Sequence, residues 1–255
     1  MANKLSRARP LVIANWKSYI ESLEAAKAFV QALKRRKELG AEAWVAPPSV
    51  FLAELAKTLK GTGIKLGGQA LSAHEGAQTG GVSAMMLKTS GASFVLAGHS
   101  ECRAQGESDK DVHAQLAAAA NAALAPVLCV GERERTADGA HFTVIEEQLL
   151  SALRGAQSLA AKLVVAYEPV WAIGKNASSA MKPQELEETV IFIRKVLADA
   201  LGREPARKVR VLYGGSVEGE NAAELLSEGG VDGFLVGHAS AKLDSFVEIL
   251  NACKK

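Results

Sequence analysis

The chain has 255 residues, 48% of them apolar, and its 30 basic against 28 acidic side chains leave a formal charge of +2, so it offers no broad field for nucleic acid or an anionic membrane. Three cysteines, Cys102, Cys129 and Cys253, are an odd number without framework spacing and read as reduced intracellular thiols. The basic first ten residues precede only a short apolar run, and no run approaches the roughly 20 residues that span a bilayer, which together predict a soluble, cytoplasmic chain.

Short β-type runs alternate with longer helical patterns from end to end, with no Pro/Ser-rich linker between them. Strands are predicted at 11–15, 43–46, 64–69, 94–97, 126–130, 163–167, 209–213 and 233–236. Helices are predicted at 23–38, 50–59, 109–123, 142–153, 183–201, 222–227 and 245–253, with a weaker one at 84–88. Eight such units in 255 residues average about 32 each, the size of a parallel crossover unit, which favours a closed (β/α)8 barrel as a single domain over 1–255. A doubly wound open sheet is the alternative, and the lack of a G-x-G-x-x-G after the first strand counts against it.

In such a barrel, functional groups sit on the loops that follow the strands. Asn15-Trp16-Lys17 follows the first strand, and Pro47-Pro48 after the second reads as a structural chain reversal. The third strand ends at Gln69, before a long polar loop, 70–82, that contains Thr79-Gly80-Gly81; loops of this length tend to be functional. Gly98-His99-Ser100-Glu101-Cys102-Arg103 follows the fourth strand and Cys129-Val130-Gly131-Glu132 ends the fifth. The sixth strand stops at Glu168-Pro169, because a proline cannot donate to a sheet ladder, and this leaves the carboxylate at the sheet's carboxyl edge. Val170, Trp171, Ala172 and Ile173 before Gly174 are too apolar for an idle surface loop, so the segment reads as a lid beside a base. Tyr213-Gly214-Gly215-Ser216 after the seventh strand and Gly237-His238 after the eighth supply backbone N–H groups where barrels of this kind bind phosphate.

Each of these residues has a plainer reading by itself. A lysine after a strand is usually a solvated charge, a lone histidine is usually structural, and paired glycines are common turn elements. Cys129 reads as a buried thiol, and Glu132 alone as a surface carboxylate. The joint pattern decides between these readings. NWK at 15–17, GHSE at 98–101, CVGE at 129–132, AYEPVWAIG at 166–174 and YGGS at 213–216, in that order and spread over nearly the whole chain, resemble the triosephosphate isomerase family.

The resemblance implies a TIM barrel that interconverts dihydroxyacetone phosphate and D-glyceraldehyde 3-phosphate through an enediolate, with no cofactor and no metal. It implies that Glu168 is the catalytic base, that His99 is a neutral electrophile, and that Lys17 supplies positive charge to the substrate. Asn15 would hold Lys17 and the substrate, and Glu101 would support Lys17. Backbone donors at Gly174, Ser216 and Gly237 would grip the phosphate. Pro169, Val170, Trp171, Ala172 and Ile173 would form the lid, with Glu132 latching Trp171 and Tyr213 grouped with them. Thr79 would lie on a dimerisation loop that reaches the neighbouring subunit's site, so the expected partners are a triose phosphate and a second copy of the chain.

The chain also departs from the family pattern. Gly81 stands where the family has Glu, and Cys102 where it has Arg, so an acid and a base near the subunit contact are missing together and a looser homodimer is expected. After Gly174, Lys175-Asn176-Ala177-Ser178-Ser179 does not follow the family's lid sequence, so the far hinge cannot be aligned. His238 replaces a second glycine; it either points to solvent, touches the phosphate or restricts which substrates fit, and it would be strained if the position needed positive φ. Two rival functions are an isomerase of a longer ketose phosphate and a non-catalytic phosphate-binding barrel. The second would be expected to have lost one of Lys17, His99 and Glu168.

Overall fold

A computed structural model describes residues 9–73, 76–174 and 180–254. Eight apolar runs pair in parallel, in sequence order: β1 (Leu11–Asn15), β2 (Glu42–Ala46), β3 (Lys65–Gly68), β4 (Phe94–Ala97), β5 (Ala125–Val130), β6 (Val164–Tyr167), β7 (Arg210–Tyr213) and β8 (Gly233–Val236). β8 returns to pair with β1, Leu11 opposite Gly233 and Ile13 opposite Leu235, so the sheet is a closed (β/α)8 barrel and the open-sheet alternative is excluded.

These strands are covered on both faces, which is why their sequences are continuously apolar instead of alternating. The period of two still sorts the side chains. Leu11, Ile13, Trp44, Ala46, Phe94, Leu96, Val127, Cys129, Val164, Ala166, Leu212 and Leu235 fill the barrel interior, where the Trp44 and Phe94 rings lie 4.8 Å apart. Their neighbours along each strand, such as Val12, Val45, Val95, Leu128, Val165 and Val211, pack outward against the helices. Cys129 is thus a core thiol, and burial pushes its pKa well above the ordinary range.

The helices among the described residues are α1 (Leu23–Lys34), α2 (Leu52–Leu59), α3 (Ala84–Thr89), α4 (Ser100–Ala104), α5 (Asp109–Asn121), α6 (Ala140–Ala152), α7 (Pro183–Leu201), α8 (Arg203–Ala206), α9 (Gly219–Glu228) and α10 (Leu243–Ala252). Local chemistry sets their ends. Ser22 caps α1 through its side-chain oxygen, Ser108 and Asp111 form a capping box on α5, and α7 begins at Pro183. α1 stops at Lys34 and not at the predicted 38, because Arg35-Arg36-Lys37 has no apolar side chain to bury and Glu38 turns to φ 59. The predicted 50–59 helix opens as a 3-10 turn, Ser49–Phe51, behind Pro48. α4 and α8, five and four residues long, are too short to show a period. No described helix is long and apolar enough to cross a membrane.

Candidate active site

The turn after β1 places an amide and an ammonium at the barrel rim. Asn15 is buried, and its Oδ1 accepts the Lys17 N–H at 3.2 Å. Trp16 points the other way, fully buried with its ring 4.9 Å from Phe29, and this anchors the turn in the core. Lys17 adopts φ 48, a conformation rare for a residue with a side chain, and must be held there. Gln69 does the holding: its side-chain amide donates to Lys17 O at 2.8 Å and to Ala46 O at 3.0 Å. The Lys17 ammonium then meets Glu101 Oε1 at 2.6 Å.

The next groups come from β4 and β6. His99 caps α4, and its Nδ1 accepts the Glu101 N–H at 3.2 Å, which leaves the proton of a neutral ring on Nε2. That nitrogen faces Glu168 Oε1 at 3.0 Å and the Asn15 amide at 3.2 Å. The other Glu168 oxygen, Oε2, accepts the Ser100 N–H at 2.9 Å. Burial disfavours the charged imidazole, but the Glu168 carboxylate's charge and hydrogen bond outweigh it, so the net shift of His99 is upward from 6.5; Lys17 opposes and Glu101 assists. Glu168 therefore rests satisfied, pulled back against His99 and Ser100.

Two glycines make room for that carboxylate. A Cβ at residue 131 would lie 1.9 Å from the Glu168 carbonyl oxygen, and one at residue 214 would lie 2.9 Å from Glu168 Cγ. Only the absence of side chains at the ends of β5 and β7 lets the end of β6 run between them.

The 3-10 turn Val170–Ala172 follows Pro169 in the segment expected to be a lid, with Ala172 buried. Glu132, almost fully buried, accepts the Trp171 Nε1–H at 2.8 Å and the Tyr167 O–H at 2.9 Å on one carboxylate oxygen. Tyr167 is thus a donor to Glu132, whereas Tyr213 sits beneath Gly215, its pKa raised to about 12 by burial. The Ser216 hydroxyl donates to Ala172 O at 2.9 Å, a contact between the loop after β7 and the lid. Residues 175–179, where the far hinge was expected, lie outside the described residues.

These parts surround one cavity of about 590 Å³ at the carboxyl ends of the strands. Asn15, Lys17, His99, Glu101 and Glu168 line it. Ile173, Gly174, Ser216, Gly237 and His238 line it as well. A Cβ at Gly237 would sit 3.5 Å from Lys17 Cε, so the ammonium's stem runs across the β1 and β8 ends. His238 begins a 3-10 turn, His238–Ala241, and is not among the described non-glycine residues with positive φ, so it sits there without strain. Thr79 is exposed on the loop after β3 and does not line this cavity. Among the described residues, no group of His, Cys, Asp or Glu side chains is placed to hold a metal ion.

Sequence reasoning missed Gln69 as a support, Tyr167 as a donor, the Ser100 N–H as a seat for the base and Tyr19 as part of the rim. A polar amide ending an apolar strand at the functional rim was the available signal for Gln69. The other three depend on how loops far apart in sequence meet.

The triosephosphate isomerase family model matches residues 10–253. A triosephosphate isomerase of Thermoanaerobacter pseudethanolicus is 39% identical over 247 residues, covering 95% of this chain and 99% of its own. Those of Rhodopirellula baltica and Dinoroseobacter shibae are 41% and 42% identical, covering 96% of this chain and 97% and 98% of their own. By its barrel and by its likeness to these proteins over nearly its full length, the chain belongs to the triosephosphate isomerase family.

Proposed function

We propose that this chain, as a single-domain barrel, interconverts dihydroxyacetone phosphate and D-glyceraldehyde 3-phosphate by proton transfer between adjacent carbons. The observation that carries the proposal is the convergence of one carboxylate, one imidazole and one ammonium, from the ends of β6, β4 and β1, on one cavity that Gly174, Ser216 and Gly237 also line. Glu168 leaves the Ser100 amide, removes the proton on the carbon next to the carbonyl, and returns it to the neighbouring carbon. The electron pair moves onto the carbonyl oxygen, where the His99 Nε2–H and the Lys17 ammonium meet the developing charge; His99 gives this oxygen its proton and takes one from the neighbouring hydroxyl, so the second carbonyl forms as the carbon-bound proton is returned. Asn15 holds the Lys17 turn, and Glu101 sets the ammonium's position.

Backbone donors at Gly174, Ser216, Gly237 and His238 bind the phosphate. Closure of residues 169–173 excludes water, which strengthens each of these interactions and protects the enediolate. Glu132 holds Trp171 in the resting lid position. The chemistry draws on protons and fixed charges alone and calls for no cofactor. The protein works in the cytoplasm as a homodimer assembled through the loop that carries Thr79, and Met85 and Met86, a few residues beyond it in sequence, are exposed apolar side chains that support this reading.

A coupled assay with glyceraldehyde 3-phosphate tests the reading. Glu168→Gln should lower kcat by about a hundredfold to ten-thousandfold with the fold unchanged, and near-normal turnover would remove Glu168 from its role. Sedimentation should give a dimer that dissociates on dilution. A monomer at every concentration would refute the dimer, and a single dimeric species at nanomolar concentration would refute its looseness.

A further inference from the structure

Two aromatic side chains at the rim have no part in the proton transfer. Tyr19, in the turn after β1, and His238, at the start of the turn after β8, meet edge to face with ring centroids 5.1 Å apart and planes at 84°. Both line the substrate cavity, yet Tyr19 is 51% exposed and is not a core residue. Each ring stands on a fixed turn. The Tyr19 N–H bonds to Trp16 O at 3.0 Å, and the Ser240 hydroxyl reaches Val236 O at 2.8 Å and Gly237 O at 2.7 Å beneath His238.

Beyond His238 lies a second, outer groove of about 730 Å³. Glu218, His238 and Ala239 line both spaces and so form the partition between them. The partition stands next to Gly237, one of the backbone positions assigned to the phosphate.

We propose that the Tyr19–His238 pair is a specificity-determining wall that ends the substrate cavity and holds the site to three-carbon phosphates. The inference rests on the triose phosphate reading of the site. With the reacting carbons fixed between Glu168 and His99, a ketose phosphate one carbon longer must push its phosphate outward past Gly237, into the His238 ring. A wall braced by a second ring from another loop resists that displacement, whereas a lone exposed side chain would swing aside. Replacing the His238 ring by hydrogen joins the cavity to the outer groove. That groove carries Lys242 but also Glu218, Glu220 and Glu248, so a longer substrate gains room there and no new attraction.

The experiment compares kcat/KM for dihydroxyacetone phosphate and for erythrulose 4-phosphate in the parent and in His238→Gly, Tyr19→Ala and His238→Phe. The parent should favour the three-carbon substrate by about tenfold to two-hundredfold, the discrimination one extra carbon allows. His238→Gly and Tyr19→Ala should each raise the four-carbon to three-carbon ratio by about tenfold, chiefly through KM of the longer substrate, and His238→Phe should leave the ratio near the parent's. A ratio unchanged in both truncations, whether the two activities stay the same or fall together, overturns the wall. A parent that turns over neither substrate sinks the functional reading. Calorimetric affinities for the same two phosphates then test the wall alone: a ratio that shifts toward the longer one in the truncations supports it, and one that does not overturns it.

Discussion

Gly131→Ala puts the placement of the base to a quantitative test. The new Cβ would lie 1.9 Å from Glu168 O and 2.6 Å from its carbonyl carbon, where real contacts are not found below 3.0 Å. The ends of β5 and β6 must therefore part by roughly 1 Å, against the Glu168 N–H bond to Val130 O at 2.8 Å and the Val170 N–H bond to Glu132 O at 3.0 Å. Overpacking of this kind costs about 1–3 kcal/mol, and a chain of this size loses about 2–4 °C of Tm per kcal/mol. The displacement falls on the residue assigned the proton transfer, where a misplacement of about 1 Å lowers the rate about a hundredfold. Steady-state kinetics in the coupled assay, with a thermal melt of the same sample, should show kcat down about a hundredfold, KM changed only a few-fold, and Tm lower by several degrees. A variant with the lower Tm but kcat within about threefold of the parent's would refute the reasoning, because the strand ends would then have parted without moving the base.

Three further outcomes follow from the same geometry. Trp171→Phe removes a donor 2.8 Å from a buried carboxylate, worth about 1.5–3 kcal/mol, so amide exchange over residues 170–174 should quicken by about tenfold or more, and unchanged exchange would contradict the latch. Gln69→Met removes both bonds that hold the Lys17 turn at φ 48, so kcat/KM should fall about tenfold; full activity with a lowered Tm would leave Gln69 a purely structural residue. The His99 pKa, followed by NMR, should lie above 6.5 in the parent and fall in Glu168→Gln, where the strongest raising influence is gone while burial and Lys17 still lower it. A raised pKa contributes stability that is present below pH 6.5 and lost as pH rises through the folded value, so this contribution is larger at pH 6 than at pH 9 and shrinks in that variant.

The fold was legible because two local signals agreed. Continuous apolar runs of four to six residues set the strands, and at 11–15, 94–97 and 233–236 the predicted and observed bounds coincide. Caps set the helices, most clearly at 183–201, where a proline starts the period and a glycine follows it. The residues that line the cavity were legible because in a barrel the strand end is also the rim, so a polar residue closing an apolar run has only one place to go. What the sequence could not carry was register around the ring. Ser100 meets Glu168 across 68 residues, Gln69 meets Lys17 across 52, and Trp171 meets Glu132 across 39, and nothing in the spacing of those segments says which side chain faces which. The closeness of Gly131 to Glu168 has the same origin, since a glycine needed for a neighbour's backbone looks in the sequence like any glycine at a turn.

The resting geometry also sets an order of events. The His99 Nε2–H has Glu168 Oε1 as its partner at 3.0 Å, and the Ser100 N–H holds the other carboxylate oxygen at 2.9 Å, so the residue proposed as the base is held by its own neighbours. A substrate carbonyl oxygen arriving at His99 competes for that same proton. Once it takes the proton, Glu168 loses one of its two partners, and the space beside Gly214 is free of any side chain that would block the carboxylate's movement. The same change removes the hydrogen bond that helps raise the His99 pKa, while burial and Lys17 continue to lower it. On the proposed mechanism, arrival of the substrate would do two things through one contact: it would free the carboxylate to reach carbon, and it would turn the Nε2–H of the neutral imidazole to the oxygen where negative charge forms.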